Sequence, residues 1–311
     1  MQLINHLNRP EYIFNPIKIY HRLYHPLNKP SHEFETVKLP WGVEIKIRPN
    51  EVIGRSIWIM GIYDLSISEL IWRLVEPGET TIDVGANIGY ITSILANKVG
   101  KKGQVISFEP LPEIYAELLE NIQTWQKELG WHQIITKQIA LSNKSGQGML
   151  KLPNNFTENR GTASLASETG SLDEQLEKKD LQSYLVPLTT LDEFIDNKAQ
   201  IGLIKIDVEG HEFEVLQGAD RLITQQQIRD IVFEEHHSYP TPVTQFLEDR
   251  GYTIFRIKKG FWKPLLEPST KQSTPHPWEP PNYLATKEPS RAIQRMKNKG
   301  WSILFNRKSS Q

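Results

Sequence analysis

Short apolar runs alternate with longer amphipathic ones from residue 80 to residue 257, and that alternation admits few architectures. Residues 80–84, 104–109, 134–141, 201–207, 230–234 and 252–257 read as buried strands. Between them, residues 90–97, 112–126, 211–222 and 242–249 carry helical patterning. Pro112 begins one of these helices, where its missing N–H costs little. Repeated strand–helix alternation is the mark of an open α/β sheet with mostly parallel strands.

The flanks are less regular. Residues 34–39 and 43–49 alternate like two strands joined at Trp41-Gly42, residues 57–60 read as a strand or a loop, and residues 66–74 form a helix. The stretch 142–184 interrupts the pattern with a hairpin at 148–152, a loop and a short polar helix over 173–180, and connections this long often carry function. Residues 264–281 are Pro-rich and expected to be irregular, whereas Tyr283-Leu-Ala285 returns as an edge strand. The segments are therefore 1–65, an extension with a small β element covering the site; 66–285, the main domain with its insertion at about 142–184; and 286–311, a basic tail.

Composition excludes several classes. With 36 Lys and Arg against 37 Asp and Glu, the net charge of -1 does not suit a generally basic nucleic-acid binder, so no nucleic-acid partner is expected. The chain has no cysteine, which excludes thiolate nucleophiles, disulfides and Cys-ligated metals. Its first residues lack a basic-then-apolar leader pattern, and no apolar run approaches the roughly 18–20 residues needed to span a bilayer. A cytoplasmic protein is the expectation.

Two features carry chemistry. Asp83-Val-Gly-Ala-Asn-Ile-Gly89 lies between a strand and a helix, where glycines let the backbone approach a ligand and the helix terminus offers unpaired N–H groups. Its glycine spacing is neither that of a dinucleotide fingerprint nor that of a P-loop. Glu109 closes the next strand, where a carboxylate can accept both hydroxyls of a ribose. Carboxylates at Asp83 and Glu109 suit a nucleoside ligand with a positive charge better than a pyrophosphate.

This strand–DVGANIG–helix–strand–FEP pattern resembles the S-adenosylmethionine-dependent methyltransferases of the Rossmann-like class. Pro187-Leu-Thr-Thr-Leu-Asp-Glu-Phe194 followed by Ile204-Lys-Ile-Asp-Val-Glu-Gly-His-Glu212 is similar to the FkbM-type methyltransferase family. The likeness runs from about residue 41 to residue 235 and includes Trp41-Gly42, Asn121 and Leu216-Gln-Gly-Ala219. It implies a seven-stranded, mostly parallel sheet with one antiparallel edge strand and S-adenosylmethionine as the methyl donor. It also implies that the loop containing Asp83, Gly85, Ala86, Asn87 and Gly89 holds the donor's amino-acid part, that Glu109 holds the ribose, and that Ala140, Leu141 and Ser142 lie near the adenine. The methylated atom would be an oxygen, frequently a hydroxyl of a sugar, glycolipid or polyketide.

A third cluster, Lys205, Asp207, Glu209, His211 and Glu212, follows the fourth main strand. Methyl transfer demands alignment, and attack by an alcohol also needs its proton removed. His211 has the pKa range for that task, and Asp207 or Glu209 can orient the acceptor or do the work instead. Glu234, Glu235, His236 and His237 should face the same crevice; the set permits magnesium without calling for it, and no residue is assigned as a metal ligand. Arg160, Trp262, His276 and Trp278 are candidates to line an acceptor pocket.

The leading reading is O-methylation of a small-molecule or lipid-linked carbohydrate. Transfer to nitrogen or to a carboxylate, and a non-catalytic nucleoside-binding scaffold, stay open. The basic tail with Trp301-Ser-Ile-Leu-Phe305 is either a peripheral membrane contact or a plain solvated tail, and the oligomeric state is not set by the sequence.

Overall fold

The computed structural model describes residues 30, 32–153, 156, 159–165, 183–270 and 282–305. In chain order the main elements begin with β1 (Glu35–Lys38), β2 (Glu44–Ile47), α1 (Val52–Met60), α2 (Leu65–Leu74), β3 (Thr80–Val84), α3 (Tyr90–Val99), β4 (Gln104–Phe108), α4 (Pro112–Leu129) and β5 (Ile134–Lys137). There follow β6 (Ala140–Leu141), β7 (Gly146–Lys151), β8 (Ser164–Leu165), β9 (Ser183–Thr189), α5 (Leu191–Phe194), β10 (Ile201–Ile206), α6 (Glu212–Gln217), α7 (Asp220–Thr224) and β11 (Ile228–Glu234). The chain continues through α8 (Pro242–Asp249), β12 (Thr253–Lys259), β13 (Pro264–Pro268), β14 (Asn282–Thr286), α9 (Pro289–Arg295) and a 3₁₀ turn at Ser302–Leu304.

Eight strands form the central sheet in the order β13-β12-β14-β11-β10-β3-β4-β5. The run from β11 to β5 is parallel, and reversal of strand order around β3 and β10 opens a crevice at their carboxyl ends. Apolar side chains alternate across it into two cores: Leu203 and Val232 pack on one face, and Ile204, Ile206, Ile231 and Phe233 on the other. This is the open, mostly parallel α/β sheet that the alternation predicts, in the Rossmann-like form that the family resemblance implies.

Several details differ from the sequence expectation. The sheet has eight strands rather than seven, because Pro264–Pro268 folds back on β12 as an outer strand, a position that tolerates proline. β14 is not an edge strand but runs antiparallel between β11 and β12. The stretch 134–141 is two strands: β5 completes the large sheet, and β6 joins a four-stranded sheet of order β6-β9-β7-β8. Residues 57–60 belong to helix α1, whose start is capped by the Glu51 carboxylate and whose end is closed by Gly61 at φ 73°. The single helix expected over 211–222 breaks at Gly218, where a β-carbon would sit 2.0 Å from the Ser142 carbonyl oxygen. The polar helix expected over 173–180 lies outside the described residues.

The β1–β2 hairpin is tied to the crevice by side chains from both the hairpin and the main domain. Asn121 bonds the Lys46 N–H and C=O and the Ile88 C=O, at 2.7, 3.1 and 2.9 Å. Trp41 Nε1 donates to Ser93 Oγ at 3.2 Å, and Trp125 Nε1 to the Glu44 carbonyl at 2.6 Å.

The tail is docked rather than solvated through residue 304. Buried Glu69 of α2 accepts the Ser302 and Ile303 N–H groups at 2.9 and 2.8 Å, and Arg291 and Arg295 both pair with Glu76. Trp301 and Ile303 are buried in the protein's own core, so they are not presented to a membrane. Among the described residues, no helix is long and apolar enough to cross one. Trp301→Ala should cost about 3–5 kcal/mol, read as a lower urea midpoint; an unchanged midpoint would show that the tail does not contribute to the core.

Candidate active site

The site forms where two glycine-bearing turns meet. Gly85, at φ 75°, ends β3, and a β-carbon there would lie 1.9 Å from the Asp207 carbonyl oxygen at the end of β10. Only glycine permits this approach. The Asp207 N–H donates to the Val84 carbonyl at 3.1 Å, and the Gly85 and Ala86 N–H groups both donate to the Phe108 carbonyl at 3.0 and 2.9 Å. The ends of β3, β4 and β10 are thereby fixed together around a cavity of about 360 Å³.

Gly85, Ala86, Asn87, Glu109, Ala140, Leu141, Asp207 and Glu209 line that cavity, as the sequence analysis anticipates. Asp83, Gly89, Ser142 and His211 do not reach its wall. Asp83 is fully buried beneath it; one oxygen accepts from Thr92 Oγ1 at 2.6 Å, and the other has no hydrogen-bond partner among the described residues. Gly89 starts α3 at φ 94° and lets that helix approach α4, since a β-carbon would meet Leu118 at 2.7 Å. Ser142 Oγ lies 2.9 Å from His211 Nε2, and His211 Nδ1 is 3.6 Å from the Glu214 carboxylate.

Glu109 is buried at the mouth of β4, with one carboxylate oxygen accepting the Asn87 N–H at 2.9 Å and the other the Leu111 N–H at 3.0 Å. Burial outweighs these bonds and pushes its pKa up to about 7. Behind it, Lys205 stands beside Asp83 in register on the same face of the sheet and bonds Asp207 at 2.9 Å. Burial alone would lower the Lys205 pKa, but Asp207 and Asp83 outweigh it and hold the ammonium above its ordinary range.

Glu209 sits in the second turn at φ 55°, a conformation that is costly for any residue with a β-carbon. Glu212 holds that turn by accepting the Val208 and Gly210 N–H groups at 3.1 and 3.3 Å. Burial, and then the Asp207 carboxylate, push Glu209 up to about 7. Glu234 is raised by the same causes. Asn87, at φ 49°, is the other strained residue on the wall.

Glu234 and His236 line the cavity as expected, but Glu235 turns away to bond His237 Nδ1 at 2.8 Å. Arg160 reaches the wall while paired with Glu117 and Glu113. Trp262 sits half exposed in the β12–β13 turn, outside the cavity, and His276 and Trp278 lie outside the described residues. Among the described residues, no group of three or more His, Cys, Asp or Glu is arranged to hold a metal ion. The sequence analysis missed Tyr63, Asp64 and Asn282 on the cavity wall. Only Asp64 left a signal, as an acidic residue just before a helix whose first-turn N–H of Ile67 it accepts.

The family profile described as "Methyltransferase FkbM domain" matches residues 83–254. The hexuronic acid methyltransferase AglP of Haloferax volcanii is 27% identical over 186 residues, covering 59% of this chain and 67% of that protein. The methyltransferase sdnD of Sordaria araneosa is 28% identical over 207 residues, covering 59% and 76%. The crystal structure of a methyltransferase FkbM from Methylobacillus flagellatus KT aligns at 15% identity and a TM-score of 0.40, over 74% of this chain; the chain spans 52% of that one, about half its length.

Because Glu209 combines a left-handed backbone with a disfavoured half-buried charge, Glu209→Gly should raise the urea midpoint by the equivalent of about 1 kcal/mol at pH 8. A raised carboxyl pKa means the folded state takes up a proton that the unfolded state binds only at lower pH. The ionised form is therefore the costly one, and the gain should shrink at pH 5.5. A midpoint below wild type at pH 8 would remove the strain argument.

Proposed function

Because the chain belongs to the FkbM methyltransferase family, we propose that it transfers the methyl group of S-adenosylmethionine to a hydroxyl oxygen of a sugar, glycolipid or similar small hydroxylated acceptor. One observation carries the reading: a glycine turn with a ribose-type carboxylate, and a second cluster of carboxyls, open into one cavity. The name of the Haloferax volcanii relative, which specifies a hexuronic acid, supports a sugar-type acceptor.

The residues present fit the donor. The Gly85–Ala86 backbone is free of β-carbon bulk where the wall is closest, and Glu109 ends the adjacent strand with its carboxylate at the cavity. Ala140 and Leu141 offer an apolar wall for a base. Glu109, Asp207, Glu209 and Glu234 together favour a ligand of positive charge. S-adenosylmethionine supplies an electrophilic methyl group on a sulfonium.

The chain's own work is to align an acceptor hydroxyl and to take its proton. Glu209 is the group that takes it: it faces the cavity, and its pKa of about 7 matches proton uptake near neutrality. Asp207 is bonded to Lys205, which makes it an orienting group. His211 is turned to Ser142 and Glu214 and does not line the cavity, which supports Glu209 over His211 in this role.

Titration calorimetry with S-adenosylhomocysteine tests the reading; one site per chain is expected, and no binding by folded protein would refute it. If only ionised Glu109 accepts the ribose hydroxyls, affinity should be about tenfold weaker at pH 6 than at pH 8, and Glu109→Gln should bind weakly with a flat profile. A flat wild-type profile would remove Glu109 from that role. Glu209→Gln should retain this affinity but lower kcat by about 100-fold or more, and wild-type turnover in single-turnover assays would reassign the base.

A further inference from the structure

Tyr63, Asp64 and Asn282 belong to no motif, yet they stand together on the wall of the same cavity as Asp207, Glu209 and Glu234. Each is held by a different part of the fold. The Tyr63 N–H donates to the Tyr90 hydroxyl at 3.2 Å, and the two rings meet edge to face with centroids 6.3 Å apart. Tyr90 opens the helix that follows the glycine turn, so Tyr63 is indexed to the donor side. Asp64 commits one oxygen to the Ile67 N–H at the start of α2, at 3.0 Å, and its other oxygen lies 3.4 Å from Asn282 Nδ2. Asn282 begins β14 opposite Glu234, which places the amide beside the carboxyl cluster.

A carboxylate and an amide side by side offer acceptors and donors in the pattern that neighbouring hydroxyls require. The Tyr63 ring is partly exposed and supplies an apolar surface with a hydroxyl at its tip. Burial, reinforced by Asp207 and Asp64, raises the Tyr63 pKa, so this hydroxyl stays a donor at neutral pH.

Charge narrows the acceptor further. Asp64, Asp207, Glu209 and Glu234 all reach this end of the cavity. The cationic groups among its described lining residues already have acidic partners: Lys205 pairs with Asp207, Arg160 with Glu117 and Glu113, and His236 lies 3.5 Å from Glu234. A carboxylate on the acceptor would meet repulsion here, and each cationic group among the described lining residues is already engaged by an acidic partner. We propose that Tyr63, Asp64 and Asn282 form the acceptor subsite, that they hold an uncharged polyhydroxylated ring by adjacent hydroxyls, and that the surrounding carboxyls reject an anionic sugar. This rests on the methyl-transfer reading above.

The test is saturation-transfer NMR at pH 7.5 on the full chain saturated with S-adenosylhomocysteine, using methyl α-glucopyranoside and methyl α-glucuronide as probes. The glucoside should receive saturation, and the glucuronide at least about fivefold less at equal concentration. Asn282→Ala should lower the glucoside signal about fivefold or more. Asp64→Asn, which keeps an oxygen for the Ile67 N–H, should lower it too and raise the glucuronide signal. Both variants should bind S-adenosylhomocysteine within about twofold of wild type, which establishes that they fold. A glucuronide signal equal to or above the glucoside's, no glucoside signal, or variants with wild-type glucoside signals would each overturn the subsite. Failure of S-adenosylhomocysteine to bind wild type would instead refute the methyl-transfer reading itself.

Discussion

The contact between Gly85 and the Asp207 carbonyl governs the rest of the site. At 1.9 Å from a notional β-carbon it excludes every residue but glycine, and it joins the turn after β3 to the turn after β10. Those turns carry the two sets of functional groups: Ala86, Asn87 and the Glu109 they face on one side, and Asp207 and Glu209 on the other. Without that closeness, a donor-type pocket and a carboxyl cluster would be separate crevices on one sheet edge. The backbone bonds from Gly85 and Ala86 to Phe108, and from Asp207 to Val84, fix the same junction from both sides.

Electrostatic cost accumulates at this junction. Lys205 stands in register with Asp83 and bonds Asp207, so one buried ammonium offsets two carboxylates, while among the described residues Glu109 and Glu209 have no ion-pair partner and Glu234 has only His236, 3.5 Å away. Burial first, and neighbouring carboxylates after it, raise the pKa values of all three. Two left-handed non-glycine residues, Asn87 and Glu209, lie on the same wall. Concentrated strain and unmatched negative charge are what a site for a cationic ligand requires, and they are sustained by two apolar cores on either side of the sheet.

Much of this was legible in the residues. The strands at 80–84, 104–108 and 201–206 were visible because both faces are buried, which gives near-continuous apolar runs. Glu109, Asp207 and Glu209 were visible because polar residues directly after such runs must lie at the sheet's rim. The sequence was a poorer guide where position depends on a distant partner. Tyr283, Leu284 and Ala285 read as an edge strand, because nothing local records that β11 and β12 pair with both sides. His211 carries the right chemistry, yet its ring is claimed by Ser142, 69 residues away. The basic tail read as solvated or resting on a membrane because Glu69 and Glu76, its partners, lie more than 200 residues earlier.

The sequence by itself determined the parallel α/β sheet, the family, and the turns on which donor-side and carboxyl groups would be found, because periodicity and motif spacing are local properties of the chain. Only the tertiary structure decided which of those groups share a cavity, that Asp83 and Gly89 lie behind its wall, and that Tyr63, Asp64 and Asn282 complete it. Those facts depend on which strand ends are neighbours and which side chains are claimed by remote partners. Close packing sets both, and no local pattern records them.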